Sequence, residues 1–366
     1  MTPDDRIPVL LLTGFLGSGK TTLLNAWLKS PDLADAAVIV NEFGEVGIDH
    51  ALIASSNENT IELSTGCLCC TVRGDLVDTL RELQVKRAKG EVRAFNRVVI
   101  ETTGLADPAP VIQALMTFPV VRRFRLSQVV TAIDAVNGAQ TLIRHPESIK
   151  QAAIADDVVI TKCDLAPTSI DNLIGLVRQF NAGARAHHST LENPVLPNDL
   201  AATDIFDPAT KSEDVVRWLN AEAHVIAHDP RHQHSPDNDR RHDVNRHSAD
   251  IGSFCLEFSA PLHWEHVAHW LDALILAHGE DVLRVKGILD IVGRERPIVV
   301  QSVQRLFHPP IELPAWPHNE RRSRLVFITR GLAREYVCEV LETIRQRRVD
   351  GPGPAIAPNY NQEAIS

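Results

Sequence analysis

Two textures of apolar and polar positions divide the 366-residue chain. Up to about residue 220, short apolar runs alternate with stretches of helical period. The run before Gly14 reads as a buried strand, and 20–29 reads as a helix stopped by Pro31. Runs at 36–40, 60–63, 97–100, 129–133 and 158–161 repeat the strand pattern, and 74–89 is helical. Strands that alternate with helices predict an α/β domain: a parallel sheet with right-handed crossovers and helices on both faces. Ligands then gather at the strands' C-terminal ends.

Beyond residue 250 the pattern changes. A strand-like run at 252–259 and a helix at 263–278 precede β-rich runs at 282–292, 297–307 and 324–328, with a last helix at 333–347. Strands outnumber helices there, which predicts a smaller α+β domain with a mainly antiparallel sheet. In the 263–278 helix, Trp264, Val267, Leu271 and Leu274 mark the buried face, so His263, His266 and His269 are expected in solvent. Residues 221–250 hold six histidines among Pro, Asp, Asn and Arg with few apolar positions, and cannot bury a core. The expected organisation is therefore a first domain over 1–220, a flexible His-rich linker over 221–250, a second domain over 251–348 and a disordered tail over 349–366.

Composition narrows the function. A net charge of −10 argues against broad nucleic-acid or anionic-membrane binding. The N-terminus has no basic segment followed by a long apolar run, so neither a secretory signal nor a membrane span is expected, and the cytoplasm is the default compartment. Six cysteines in this length are no disulfide framework, and three of them fall within four positions.

The chemistry starts at the end of the first strand. Gly14, Gly19, Lys20 and Thr21 fit the phosphate-loop pattern G-x-x-x-x-G-K-[ST] between a strand and a helix. Glycines let successive N–H groups turn inward as an anion nest, and the helix start adds its positive dipole end. Lys20 is expected at the β/γ-phosphates and Thr21 at Mg²⁺. Glu101-Thr102-Thr103-Gly104 follows its strand where such proteins carry Asp-x-x-Gly. Glu101 would hold Mg²⁺ through water, and Gly104 would offer its N–H to the γ-phosphate. Thr161-Lys162-Cys163-Asp164 fits [NT]-K-x-D, in which the Asp carboxylate accepts from guanine N1 and N2 and the Lys stem packs on the ring. Adenine lacks that donor pair, so GTP and GDP are the expected nucleotides.

Cys67-x-Cys69-Cys70 is the second strong pattern. Three close thiolates select a thiophilic ion such as Zn²⁺ or Cu(I) and leave a coordination position open. Buried small hydrophobes and a redox pair are the competing readings. His228, His232, His234 and His242 would bind borderline ions weakly, and a linker that happens to use histidine competes with that. Cys163, Cys255 and Cys338 are isolated and read as structural, and nothing assigns His187 and His188.

The set GFLGSGKTTLL, VNEFGEVGID, GCLCC, VVIETTGLADP and TKCD, in this order, resembles the CobW-like family of P-loop GTPases, related to the GTPases that mature urease and hydrogenase. The later LRVKGIL and VQRLFHPP are similar to that family's C-terminal domain. The resemblance implies a Mg²⁺-dependent GTPase yielding GDP and phosphate, with Gly17, Ser18, Gly19, Lys20, Thr21 and Thr22 at the phosphates and Mg²⁺, Lys162 and Asp164 at guanine, and a metallochaperone that loads zinc at Cys67, Cys69 and Cys70 and delivers it to a client metalloprotein. Cobalt or nickel insertion and passive metal buffering are the alternatives, and a homodimer stays open. One departure stands out. Val40 occupies the place before Asn-Glu-Phe-Gly where an acid would add a metal ligand, so Glu42 or Glu45 is the carboxylate to consider.

Overall fold

The computed structural model describes residues 5–42, 60–64, 71–200, 251–317 and 321–346. The chain divides into two compact units, with the break after Asp207. The expected boundary at 220, the linker and the tail lie outside the described residues.

The first unit is built on one parallel sheet. Its strands are β1 (Ile7–Gly14), β2 (Ala36–Glu42), β3 (Thr60–Ser64), β4 (Arg97–Glu101), β5 (Phe124–Asp134), β6 (Asp157–Thr161) and β7 (Arg185–His188). They stand in the order β3-β2-β4-β1-β5-β6-β7, and every pairing is parallel. The helices between them are α1 (Lys20–Lys29), α2 (Thr71–Lys89), α3 (Ala109–Met116), α4 (Gly138–Arg144), α5 (Pro146–Ala153) and α6 (Ile170–Phe180). β1 is apolar throughout its middle because it is central and covered on both faces, and Val9, Leu11 and Leu12 are fully buried. Trp27 of α1 is likewise buried, and its indole N–H donates to the Val195 carbonyl at 2.7 Å. That bond satisfies the one polar atom of a large core side chain. α1 ends at Ser30, whose N–H returns to the Trp27 carbonyl, and Pro31 cannot extend the helix.

The second unit has an antiparallel sheet in the order β11-β10-β9-β13-β8, with β12 paired to β10. These strands are β8 (Ile251–Phe258), β9 (Val282–Leu289), β10 (Ile298–Val303), β11 (Leu306–Phe307), β12 (Ile311–Glu312) and β13 (Ser323–Arg330). Two helices, α7 (Trp264–His278) and α8 (Arg334–Gln346), pack against it. The α+β expectation holds, with one run divided. The stretch expected as a single strand over 297–307 splits into β10 and β11 around Gln304, whose positive φ of 47° makes the turn. The buried face of α7 also differs from its expected centre. Trp270 is the fully buried residue there and donates to the Val337 carbonyl at 2.9 Å, while Trp264 is only partly covered. Because Ala268 and Trp270 widen that face around the helix, His266 and His269 are partly covered rather than solvated, while His263 is exposed as expected. Burial of His266, followed by the nearby His263, pushes its pKa down.

Candidate functional site

Strand register brings the sequence motifs to one end of the first sheet. Leu12 of β1 pairs with Glu101 of β4, Gly14 with Ala132 of β5, and Asp134 with Thr161 of β6. The segments that leave β1, β4 and β6 therefore emerge side by side at the strands' C-terminal ends.

The phosphate loop leaves β1 at Gly14, where φ is +143° and a Cβ would collide with the Ala132 carbonyl oxygen. Only glycine fits that approach. Lys20 opens α1, is 8% exposed, and its Nζ donates to the carbonyls of Gly14 (2.9 Å) and Phe15 (3.2 Å). The ammonium thus folds back over the loop it would serve. Phe15 stacks on His145 at 4.5 Å between ring centroids, which anchors the loop's side.

Two residues 80 positions apart meet beside it. Thr21 Oγ1 donates to Glu101 Oε1 at 3.0 Å, and Glu101 is 4% exposed at the end of β4. A hydroxyl and a carboxylate oxygen side by side, next to an anion nest, are the donor set of a hard cation such as Mg²⁺. After Glu101 the chain turns back on the phosphate loop. Thr102 N–H donates to the Leu12 carbonyl and Thr102 Oγ1 to Thr13 Oγ1 at 2.8 Å. Gly104 lies so near that a Cβ on it would stand 2.6 Å from Leu16 N.

The third motif joins the same loop. Thr161 Oγ1 donates to the Ser18 carbonyl at 2.6 Å. Lys162 has a left-handed φ of 56°, uncommon for a side chain of its size, and its Nζ donates to the Gly17 carbonyl (2.8 Å) and to Asp134 Oδ2 (2.6 Å). Burial works against ionisation of Asp134, but the Lys162 ammonium, the Val136 N–H and Asn137 outweigh it and hold the carboxyl below its ordinary pKa. Asp164 is exposed, one turn of chain beyond. Asp134 ends a strand beside the one that carries Lys162, and that signal was present in the sequence without pointing to a partner. Gln151 on α5 gave no signal at all.

The remaining candidates divide by location. Glu42 ends β2, paired in register with Ser64 at the end of β3. Glu45, Cys67, Cys69, Cys70, His228, His232, His234 and His242 lie outside the described residues. Among the described residues no group of three or more His, Cys, Asp or Glu side chains could hold a metal ion, and no helix is long and apolar enough to cross a membrane. Cys163 and Cys255 are buried and Cys338 partly so, with burial raising the thiol pKa of Cys163 and Cys338. His187 turns away from the base motif and meets Asp157 Oδ1 at 2.7 Å. Asp157 opens β6, at the opposite end of the strand from Lys162, and also accepts from Gln128 at 2.6 Å and from Arg185. That cluster ties β5, β6 and β7 together far from the motif end, while His188 is exposed on the edge strand.

Known proteins match this arrangement along its length. A family model described as the CobW/HypB/UreG nucleotide-binding domain matches residues 8–188. A second, described as the cobalamin synthesis protein cobW C-terminal domain, matches residues 251–345. The chain is 31% identical over 341 residues to the zinc chaperone YjiA of Escherichia coli, covering 93% of this chain and 99% of that protein. It is 32% identical over 359 residues to the zinc chaperone CobW of Pseudomonas aeruginosa, covering 92% and 91%. Among solved structures, that of Zn(II)-bound YjiA GTPase from E. coli matches with a TM-score of 0.68 at 28% identity, covering 93% of this chain and 99% of the other. With both domain models in tandem and relatives that align nearly end to end, the chain belongs to the CobW/HypB/UreG family of nucleotide-binding proteins and carries the CobW C-terminal domain.

Proposed function

We propose that this chain is a Mg²⁺-dependent, GTP-hydrolysing metallochaperone that binds zinc at Cys67, Cys69 and Cys70 and passes it to a client metalloprotein under nucleotide control. The observation that carries the reading is the strand order β3-β2-β4-β1. The segment that holds the cysteines leaves from Ser64 of β3, two strands from Glu101 of β4. At the spacing of paired strands the two exits are about 10 Å apart. The chain that would respond to the γ-phosphate thus leaves its strand close to the strand end from which the cysteines follow in sequence, which suits coupling between them. Zinc as cargo accords with relatives named zinc chaperones.

The residues have separate tasks in this reading. The N–H groups of residues 17–22 hold the phosphates, and Lys20 leaves the carbonyls of Gly14 and Phe15 to meet the β/γ-phosphates. Thr21 and Glu101 would hold Mg²⁺, directly and through water, where it offsets charge that develops on the transferring phosphoryl group. Gly104 N–H senses the γ-phosphate, and Lys162, held against Gly17 and Asp134, presents its stem to the base. Asp164 accepts from guanine N1 and N2. The sequence motifs include no obvious arginine finger or water-orienting glutamine, so intrinsic turnover is expected to be slow, with acceleration by a client open to test.

Asp164→Ala should weaken GTP far more than ATP. Losing a carboxylate that accepts two donors costs on the order of 1.5–3 kcal/mol, tens-fold in affinity. A wild-type chain that binds ATP as tightly as GTP would remove the guanine assignment.

The central test is thermodynamic linkage. Zn²⁺ is titrated calorimetrically into the protein bound to a GTP analogue and into the GDP form. A typical coupling of about 5–150-fold is expected, and GTP affinity must change by the same factor when Zn²⁺ is bound. Equal Zn²⁺ affinity in the two states would leave a GTPase with no metal gate. Metal competition in the same titration decides among zinc, cobalt and nickel.

A further inference from the structure

The chain after β4 is gripped from two sides. On one side Thr102 is tied to Leu12 and Thr13 of β1. On the other, α5 reaches across with two consecutive residues. Gln151 is completely buried, and its Nε2 donates to the carbonyls of Gly104 (3.2 Å) and Ala106 (3.0 Å). Lys150 Nζ meets Asp107 Oδ2 at 3.1 Å, and Asp107 Oδ1 accepts from the Ala109 N–H at the start of α3.

The Gln151 amide has one workable orientation. Turned over, its Oε1 would face two carbonyl oxygens, so the NH₂ must point to the loop. Oε1 then makes no hydrogen bond within the protein, and the residue lines a cavity of about 160 Å³ beside the phosphate loop, together with Ser18 and Phe15. A buried side chain that leaves its acceptor unmatched to place its donor has a demanding partner. One of the two carbonyls it holds belongs to a glycine. Without a Cβ, Gly104 samples a wide range of φ and ψ, and a residue so free takes its direction from whatever holds its neighbours.

We propose that Gln151 is the positioning residue for γ-phosphate recognition. By holding the carbonyls of Gly104 and Ala106 while Thr102 is held by β1, it fixes the direction of the Gly104 N–H and so sets the preference for GTP over GDP. The inference rests on the GTPase reading above. It also gives α5 a role between two sites, because α5 leads into β6, which ends at the guanine motif.

The test uses two variants of the full chain. Gln151→Met keeps length and removes the donor; Gln151→Glu keeps shape and sets a carboxyl against the two carbonyls. For each, affinity for GDP and for a non-hydrolysable GTP analogue is measured together with single-turnover hydrolysis and thermal denaturation. Both variants should hold GDP within about twofold of wild type, and lose about tenfold in analogue affinity and hydrolysis, the scale of one to two lost hydrogen bonds. A residue that merely supports the fold would lower both affinities together. If Gln151→Met fails to fold, the nearly isosteric Gln151→Glu decides. An unchanged analogue-to-GDP ratio in a folded variant, beside a wild type that hydrolyses GTP, overturns the inference alone. A wild type that neither binds nor hydrolyses guanine nucleotide overturns the functional reading and this inference with it.

Discussion

Lys20→Ala is expected to abolish GTP hydrolysis while leaving the protein folded. Its Nζ now satisfies the carbonyls of Gly14 and Phe15, a resting place that an ammonium gives up readily to a more negative partner. With nucleotide present the phosphate oxygens supply that partner, and the charge that grows on them in the transition state strengthens the contact further. Removing such a preorganised donor costs on the order of a hundred- to a thousandfold in kcat. The structural cost is smaller. Two carbonyl contacts are lost from a buried position, but both belong to a loop whose glycines already bend the chain. Phosphate release in single turnover, read beside thermal denaturation, separates the two effects. Turnover retained in the folded variant would show that another cation serves the phosphates.

The second large effect is on metal. Cys69→Ser should weaken tight Zn²⁺ binding by on the order of a hundredfold or more, because a serine hydroxyl does not ionise near neutral pH and oxygen is a poor substitute for thiolate on Zn²⁺. Thiols must lose their protons to bind, so tight binding should also weaken as pH falls below the usual thiol range. Deletion of residues 228–247 makes the contrast: capacity for metal should fall while one tight site remains. Equilibrium dialysis with a competing chelator measures both variants. A Cys69→Ser chain with unchanged affinity would return the cysteines to a structural role.

These two substitutions probe different links of one chain of cause. In the proposed function Lys20 would act through charge at the phosphate loop, whereas Cys69 would act on the cargo. If GTP hydrolysis drives release, Lys20→Ala should bind Zn²⁺ yet fail to let it go, a result that neither a passive buffer nor an ungated GTPase produces.

Much of this was legible along the chain because the motifs are local. A phosphate nest is made by consecutive N–H groups, so Gly14 to Thr21 carries its own geometry once β1 and α1 flank it. The same holds for Thr161 to Asp164, while the spacing of the three cysteines, which lie outside the described residues, restricts the chemistry only at the level of sequence. Apolar period distinguished strands from helices in both units, and it misjudged α7 only where a wide buried face took in Trp270 and half-covered His266 and His269.

Strand order was the part the sequence did not carry. Parallel strands joined by helical crossovers can neighbour one another in several orders with the same apolar pattern. Only the fold decides that β4 lies beside β1, which brings Glu101 to Thr21 across 80 residues. It likewise decides that Lys162 reaches Gly17 across 145 residues. Gln151 shows the limit most plainly: as one polar residue on a short helix it had no pattern around it, and its meaning came entirely from the two carbonyls that the tertiary structure set against its amide. The sequence by itself determined which candidate motifs this protein carries, since each motif is a few adjacent residues. The tertiary structure alone decided which of those pieces touch, because contacts between distant residues depend on how the sheet is ordered and packed.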